Sequence, residues 1–444
     1  MNRRTIALSL LCLPLIFSCS PKKDGEWFSI SCNEFIETSE KYNTVIPFNT
    51  QMKLSYFKKS DQVYSDTFED DLTQLFTSRV IELHKLLDRH YYYFNETKED
   101  YLTNVKIIND SYATGDEIIC SDELYNLLKL GYQLTLETNG YFNFFMGNLT
   151  TFWDNVLNEI YDGAFLEDID PFYNENQKNK LIQLKESTPT IDEVKGLLTF
   201  NDEKKSVIFN SLDDIYLDED KTIIKYDRKN TVSRFRPYIT SGGIAKGYAT
   251  DLLKELLNSN NYYDGFLNSG SSSLTSLSAF SFTKKGYHTI SVVDPRSKGY
   301  QREVCMSLNL YSDYALSTSG NYTNGMSYSF KDQNSNKTIY RHHIINPYTG
   351  ECSQEHASVT LISNSFNNGQ LDALSTAFVN MSTEEGFRFR QDIIDKYSLK
   401  YKKDYDLNVI YIDIDENNNL NFTLNESFKD FVKISKKEFK VTYA

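Results

Sequence analysis

The chain has 444 residues, of which 40% are hydrophobic and 14% aromatic, so it can build a substantial core. Its formal net charge of −14 argues against a nucleic-acid partner, because a phosphate backbone attracts basic surfaces. Since no internal repeat and no clean linker divide the chain, we predict a single large domain.

The first residues predict export. Two arginines precede an apolar stretch over residues 6–17 that is too short to span a bilayer. Ser18 and Cys19 follow, and they resemble the lipobox of bacterial lipoproteins, in which the cysteine is lipidated. An ordinary secretion signal with an incidental cysteine is the alternative. We therefore predict a signal peptide at 1–18, a lipidated tether at 19–44, and attachment to the outer face of the cell membrane.

Hydrophobic spacing predicts the elements that follow. The stretch "TQMKLSYF" alternates as a strand does, and residues 68–88 carry apolar side chains at helical spacing. A further helix begins at the N-cap Ser121 and ends at an Asn-Gly pair. Residues 201–235 and 407–440 contain alternating strands.

The stretch "SGGIAKGYATDLLKELL", residues 241–257, places glycines and Lys246 before a helix. Its spacing excludes a P-loop, which needs the lysine after the second glycine, and a Rossmann turn, which needs G-x-G-x-x-G. Glycine N–H groups, a helix N-terminus and a lysine together suit an anion. A structural strand-to-helix turn explains the same residues, so this stretch alone leaves both interpretations open.

The stretch "QLDALSTAFVNMS", residues 370–382, predicts a buried helix. Asp372 and Thr376 are four residues apart, so both oxygens project from one face. A carboxylate and a hydroxyl are hard ligands of the kind that Mg²⁺ binds. Helix capping by Asp372 is the alternative.

Two further stretches could contact a ligand. In "RHHIINPYTG", residues 341–350, a histidine at the edge of an apolar strand could orient or protonate a substrate. The loop "STSGNYTNG", residues 317–325, could donate hydrogen bonds to a ligand. Either stretch could equally be structural.

Taken together and in order, "GGIAKGYATD", "FLNSGSSS", "STSGNY", "HHIINPYTG" and "DALSTAF" resemble the motifs of the ApbE family, the FAD:protein FMN transferases. The resemblance covers roughly residues 45–435 and implies a single large α+β domain of mixed sheets flanked by helices, with FAD in a cleft between two lobes. It also implies Mg²⁺-dependent transfer of FMN from FAD to a Thr or Ser hydroxyl of an extracytoplasmic flavoprotein, with release of AMP. An FAD pyrophosphatase that uses water as acceptor, or an FAD-binding lipoprotein without turnover, would share these motifs.

The resemblance also implies roles for residues. Asp372, Thr376 and the carbonyl of Gly243 would hold Mg²⁺, and Asp372 and His343 would be catalytic. The residues implied in FAD binding are Asn109, Tyr141, Phe142, Asn143, Thr240, Lys246, Asn268, Thr318, Ser319, Gly320, His343, Ile344 and Ile345. Asn104 is a rival to Asn109.

The chain departs from the family pattern at three places. Thr240 stands where the family commonly has Asp, "NSGSSS" replaces an "N-x-G-G-N" loop, and Asn143 replaces an Asp. Because the residues at 246, 372 and 376 match the family motif, we expect activity to survive with altered FAD contacts.

Overall fold

The structure is a computed structural model that describes residues 25–40, 44–95, 97–161, 175–210, 215–217, 223–225, 238–277, 286–297, 303–321, 327–332, 335, 337–436 and 438–444. The predicted signal peptide and Cys19 lie outside these residues. Among the described helices, none is long and apolar enough to cross a membrane.

The helices, in chain order, are α1 (Phe68–Leu87), α2 (Val105–Thr114), α3 (Asp122–Glu137), α4 (Gly147–Tyr161), α5 (Glu175–Glu186), α6 (Ile191–Leu197), α7 (Ala245–Ser259), α8 (Asn368–Val379) and α9 (Thr383–Tyr401). The strands are β1 (Gly25–Cys32), β2 (Ile36–Glu37), β3 (Thr44–Val45), β4 (Met52–Lys59), β5 (Glu117–Ile119), β6 (Leu198–Asn201), β7 (Ser206–Phe209), β8 (Ile215–Leu217), β9 (Ile223–Lys225), β10 (Gly265–Ser269), β11 (Ser273–Ser276), β12 (Tyr287–Val293), β13 (Val304–Tyr311), β14 (Ala315–Gly320), β15 (Tyr328–Lys331), β16 (Thr338–Arg341), β17 (Ser358–Ser363), β18 (Asn408–Ile414), β19 (Leu420–Leu424), β20 (Val432–Ile434) and β21 (Lys440–Tyr443).

A mixed sheet forms the centre of the fold. Nine of the described strands follow the order β1-β4-β10-β11-β14-β17-β18-β19-β21. Neighbouring strands are antiparallel, except that β19 and β21 are parallel. The pairing of β11 with β14 places the serine-rich "NSGSSS" loop beside the "STSG" strand.

Both faces of the central sheet are buried, and the alternation of side chains decides which layer each one enters. In β17, Leu361 packs with α8 and α9, whereas Ile362 packs with the smaller sheet β12-β13-β20. In β18, Val409 and Ile410 repeat this alternation. The fold therefore has a helical layer, a central sheet and a smaller sheet, which confirms the prediction of mixed sheets flanked by helices.

The two ends of the central sheet extend beyond the predicted domain limits of 45 and 435. Strand β1 pairs with β4 along its whole length, with Ile30 and Cys32 buried, so Gly25–Cys32 belongs to the fold and not to a tether. Strand β21 pairs with β19 at the other edge. Only two of the eight residues of β1 are buried, so its sequence shows weak alternation. An edge strand, which pairs on one side, needs few apolar side chains.

The local predictions are confirmed where regular spacing carried them. "TQMKLSYF" contains the first six residues of β4, residues 68–88 contain α1, and the Ser121 hydroxyl accepts the N–H of Leu124 to cap α3. The "DALST" stretch lies in α8, which packs on β14 and β17. Helices α7 and α8 pack against each other and both contact β11.

Candidate active site

The glycine-rich stretch forms a turn at the N-terminus of α7, and an isolated β-bridge between Tyr238 and Met146 precedes it. The N–H of Thr240 donates to the Phe144 carbonyl at 2.8 Å, and the Ser241 hydroxyl donates to the Leu87 carbonyl at 2.9 Å. The Ser241 carbonyl accepts the N–H of Ala245 at 2.8 Å, and the helix follows. The stretch therefore forms the turn and helix of the structural interpretation, but among the described residues no strand directly precedes the turn. An anion site at this turn depends on which groups face it.

Two glycines of this stretch lie close to other segments: an added side chain would be crowded at Gly243 and would collide at Gly247. A Cβ atom on Gly243 would lie 3.2 Å from Phe142 Cε2 and 3.2 Å from Thr376 Oγ1. A Cβ atom on Gly247 would lie 2.1 Å from the carbonyl oxygen of Asn368, at the start of α8. Gly243 therefore contacts a predicted metal ligand, and Gly247 lets the backbones of α7 and α8 touch.

Asp372 projects from α8 onto the N-terminus of α7. One carboxylate oxygen accepts the N–H of Gly247 at 2.6 Å, and the other accepts the hydroxyls of Ser273 and Ser317, the latter at 2.6 Å. Burial raises the pKa of Asp372, whereas Lys246 and these hydrogen bonds favour its charged form. The carboxylate caps α7 and keeps acceptor capacity for a cation, so capping and metal binding are compatible.

Thr376 and Gly243 bring further oxygen donors to this place. The Thr376 hydroxyl donates to the Asp372 carbonyl at 3.1 Å, which leaves its lone pairs available. A carboxylate, a hydroxyl and a backbone carbonyl are the hard donors that Mg²⁺ prefers, and Mg²⁺ completes its shell with water and phosphate. The residues therefore fit the predicted magnesium site, even though the described part of the chain contains no group of three or more His, Cys, Asp or Glu side chains arranged to hold a metal.

Lys246 acts electrostatically on both Asp372 and the predicted catalytic histidine, His343. Its positive charge favours the charged form of Asp372 and disfavours the charged form of His343. The His343 side chain is exposed to solvent. Desolvation by the surrounding protein, together with the neighbouring His342 and Lys246, lowers the pKa of His343. His343 is therefore neutral at physiological pH and can accept a hydrogen bond from a hydroxyl.

The neighbouring histidine, His342, is a structural residue. It is fully buried, its Nε2–H donates to the Ser353 carbonyl at 2.7 Å, and its Nδ1 accepts the N–H of Ile344 at 3.2 Å. These partners require the tautomer protonated at Nε2, and burial lowers the pKa of His342 to about 4. Of the two histidines in "RHHIINPYTG", only His343 is accessible to a ligand.

Asn380, at the end of α8, ties three parts of the site together. Its side-chain amide donates to the carbonyls of Tyr141, Ile345 and Thr376, at 3.2, 3.1 and 3.3 Å. Asn380 is buried, so these bonds are shielded from water. The predicted flavin-side loop, the "HII" segment and the helix that carries Asp372 are therefore held in one arrangement.

Within the predicted flavin-side loop, each side chain has a different environment. Phe142 is buried against Gly243, and the Asn143 side-chain oxygen accepts the N–H of Phe145 at 2.9 Å. Tyr141 is half-buried, and its hydroxyl donates to Glu385 at 3.3 Å. Tyr141 is therefore the most accessible side chain of the predicted FAD contacts in this loop.

The two rival asparagines both bind backbone groups. Asn109 exchanges two hydrogen bonds with the backbone of Ile239, at 2.7 and 3.1 Å, and so holds the residues that lead into Thr240. Asn104 caps α2 and donates to the carbonyls of Lys85 and Tyr91, both at 3.0 Å. Of the two, only Asn109 is hydrogen-bonded to the segment before α7. Direct contact with FAD stays a prediction for either residue.

The predicted serine and threonine positions lie on β14 beside α8. The Thr318 hydroxyl is 2.9 Å from that of Thr360, and the Ser319 hydroxyl is 2.8 Å from that of Ser375. Gly320 ends the strand. Ser319 also lies 3.4 Å from the Thr376 hydroxyl, so this strand supplies hydroxyl groups next to the predicted metal ligands.

The other predicted FAD contacts have backbone or core partners. The Asn268 side-chain oxygen accepts the N–H of Ser271 at 2.8 Å and closes the turn between β10 and β11. The side chains of Ile344 and Ile345 are buried in two hydrophobic clusters. A ligand could therefore contact the His343 side chain and backbone groups of the "HII" segment, but not the two buried isoleucine side chains.

Sequence reasoning missed several residues that surround Asp372. They are Ser273, Ser317, Ser375, Asp251 and Asn380, which bind Asp372 or the segments next to it. The serines belong to stretches already singled out, "NSGSSS", "STSG" and "DALST". The many hydroxyl groups in these stretches could have indicated a polar site. Which of the serines face Asp372 depends on strand pairing, which the local sequence does not contain.

With this geometry described, comparison with known proteins decides the family. The ApbE family model matches residues 48–397, which is most of the chain. The chain belongs to the ApbE family. The match spans every predicted metal, catalytic and FAD-binding residue of this ApbE-family chain.

Solved structures share the fold of this ApbE-family protein. An ApbE protein from Thermotoga maritima is 19% identical, with a TM-score of 0.58 over 91% of this chain and 99% of that one. The flavin transferase ApbE from Vibrio cholerae is 16% identical, with a TM-score of 0.55 over 92% and 99%. The flavinyl transferase ApbE from Pseudomonas stutzeri is 15% identical, with a TM-score of 0.53 over 92% and 97%. No curated protein sequence matches the chain significantly.

Proposed function

We propose that this ApbE-family protein is a flavin transferase that moves FMN from FAD to a Thr or Ser hydroxyl of an acceptor flavoprotein, with Mg²⁺ and with release of AMP. The observation that supports this most directly is the meeting of Asp372, Thr376, Gly243 and Lys246 at the N-terminus of α7. The Vibrio cholerae and Pseudomonas stutzeri proteins of the same fold are named as flavin transferases.

The proposed reaction requires no covalent bond between the protein and the transferred FMN group. Transfer of a phosphoryl group depends on positioning and on neutralising charge at the phosphate oxygens. Asp372, Thr376 and the Gly243 carbonyl would hold Mg²⁺, which would supply charge neutralisation at the pyrophosphate. The N-terminus of α7 and the Lys246 ammonium add positive charge on the same side, so the site suits the pyrophosphate of FAD.

His343 would receive the acceptor hydroxyl. It is neutral and accessible, so its imidazole can accept a hydrogen bond from a Thr or Ser hydroxyl and orient the oxygen for attack. A histidine whose pKa is lowered is a weaker base, which fits an orienting role better than early removal of the proton. After desolvation and His342, the charge of Lys246 also disfavours the imidazolium form.

We also propose that the protein acts outside the cytoplasm, anchored by lipid at Cys19. The support is in the sequence: a basic pair, the apolar stretch 6–17, and Ser18 before Cys19. The acceptor would then be an exported or membrane-bound flavoprotein.

The test is incubation of the protein with FAD, Mg²⁺ and an acceptor that carries a flavinylation Thr, followed by mass spectrometry. A covalent FMN adduct on the acceptor supports transfer. AMP without an adduct indicates a pyrophosphatase, and neither product indicates an FAD-binding protein without turnover.

Asp372→Ala should abolish Mg²⁺-dependent AMP release, because it removes the carboxylate ligand. Asp415→Ala is the control, since Asp415 lies in the turn between β18 and β19, where its carboxylate accepts hydrogen bonds from Asn417 and Asn419 of the same turn. Undiminished turnover in Asp372→Ala would overturn the metal assignment.

A further inference from the structure

Helices α7 and α8 cap each other's N-termini with one aspartate each. Asp372 of α8 accepts the N–H of Gly247, in the first turn of α7, at 2.6 Å. Asp251 of α7 accepts the N–H of Asn368 at 3.0 Å and that of Gly369 at 2.8 Å, in the first turn of α8. The Asn368 side-chain amide adds a third bond to Asp251 at 3.0 Å.

The two carboxylates have the same physical role. The first N–H groups of a helix have no partner within the helix, and the N-terminus carries partial positive charge. Each carboxylate satisfies those donors in the other helix. Burial raises the pKa of Asp251 to about 6, so keeping it charged costs free energy that the three donors offset.

The contact between the helices makes this arrangement sensitive to position. The Cα of Gly247 packs directly on the Asn368 carbonyl, as the 2.1 Å approach of an added Cβ shows. Asn368 is the residue that Asp251 binds, and Asp372 lies one helical turn further along α8. A shift of the start of α8 would therefore move Asp372, and with it Thr376, away from the N-terminus of α7.

We propose that Asp251, which none of the predicted ligand contacts includes, is a positioning residue for the active site: by capping α8 from α7, it holds Asp372 and Thr376 in place. The effect on metal binding rests on the proposed function. The effect on the position of Asp372 does not.

The first test reads the position of Asp372 in metal-free protein. Because Gly247 is in the first helical turn, protection of its amide from hydrogen exchange depends on Asp372. The chain has 19 glycines, so ¹⁵N-glycine labelling gives a sparse NMR spectrum in which this amide can be followed. We expect Asp251→Asn to speed exchange at Gly247 about tenfold, because one acceptor for the α8 N–H groups becomes a donor.

Asp294→Asn is the matched control. Asp294 is also buried and also accepts a backbone N–H, that of Arg296 at 2.9 Å, but it lies at the end of β12 in the smaller sheet. Exchange at Gly247 should stay at the wild-type rate in this control. An unchanged rate in Asp251→Asn, or an equal increase in both variants, overturns the proposal.

The second test uses Mn²⁺ alone as a probe, with the free ion measured by electron paramagnetic resonance. We expect Asp251→Asn to raise the Kd for Mn²⁺ about fivefold or more while Asp294→Asn leaves it unchanged. A merely structural role would lower stability in Asp251→Asn without changing the Kd of the folded protein, and that result also overturns the proposal.

The two tests separate the two proposals. If wild-type protein binds no Mn²⁺, the magnesium site of the proposed function fails, and exchange at Gly247 still decides the role of Asp251. If Asp251→Asn does not fold, Asn368→Ala replaces it, because it removes one bond to Asp251. Faster exchange at Gly247 in Asn368→Ala supports the proposal, and an unchanged rate overturns it.

Discussion

Gly247→Ala tests whether the direct contact between α7 and α8 sustains both the fold and the site. The new Cβ would lie 2.1 Å from the Asn368 carbonyl oxygen, 2.5 Å from its carbonyl carbon and 2.8 Å from Asp372 Cγ. A carbon and a carbonyl oxygen pack at about 3.3 Å, so the helices would have to separate by roughly 1 Å. Two of these contacts are backbone atoms, which cannot turn aside.

The cost follows from three contributions. Overpacking a core contact costs about 1–3 kcal/mol. Loss of the hydrogen bond from the Gly247 N–H to the Asp372 carboxylate costs about 1.5–3 kcal/mol, because the acceptor is charged and buried. The higher helix propensity of alanine returns up to about 1 kcal/mol. We expect a net loss of about 1.5–6 kcal/mol in the free energy of unfolding.

Urea denaturation measures this loss, and a fluorescence titration with FAD in the presence of Mg²⁺ measures the effect on the site. Gly242→Ala is the matched control, because the nearest atom to its added Cβ is Thr240 Oγ1 at 3.8 Å. It should stay within about 0.5 kcal/mol of wild type. If Gly247→Ala matches Gly242→Ala in both assays, the close crossing of α7 and α8 does not exist as described.

Two other predictions concern charge. The pKa of His342 is lowered to about 4 from an ordinary 6.5, so between these pH values the folded state binds fewer protons than the unfolded state. The contribution of His342 to stability is therefore complete above pH 6.5 and falls by up to about 3 kcal/mol as the pH drops to 4. Because burial also lowers the pKa of His288 to about 4, His342→Gln should reduce, and not abolish, the fall in urea midpoint between pH 7 and pH 4.5. A fall as steep as that of wild type would contradict the assignment. Lys246→Met should weaken FAD binding about tenfold in the fluorescence titration, because it removes the cation at the N-terminus of α7, while the urea midpoint stays near that of wild type. Unchanged FAD affinity would mean that Lys246 does not face the ligand.

Part of the site could be predicted from local sequence. Asp372 and Thr376 were placed on one face of a helix because residues four apart on a helix are neighbours, and α8 has that form. For the glycines before α7, the local sequence left a turn and an anion site open, because glycine permits both a tight turn and close backbone approach. The two histidines could not be separated, because their difference lies in the burial of His342 against Ser353.

Other features depended on contacts between distant segments. Strand β1 was missed because its register is set by β4, and its own residues show weak alternation. Asp251 stands within a quoted motif, yet nothing local indicates that its partners are at the start of α8. The partner of Asn109 is likewise not indicated by the local sequence, because it is the backbone of Ile239, 130 residues away in the chain.

The sequence by itself determined the order of the motifs, the family, and the faces of the helices and strands that carry them, because the periodicity of side chains is a local property. Only the tertiary structure decided that Asp372 meets Gly247 and Ser273, which are 125 and 99 residues away in the chain. The physical reason is that local propensity contains no information on where two helices cross or which strands pair. The glycine turn before α7 becomes a candidate anion site only once α8 places a carboxylate and a hydroxyl beside it.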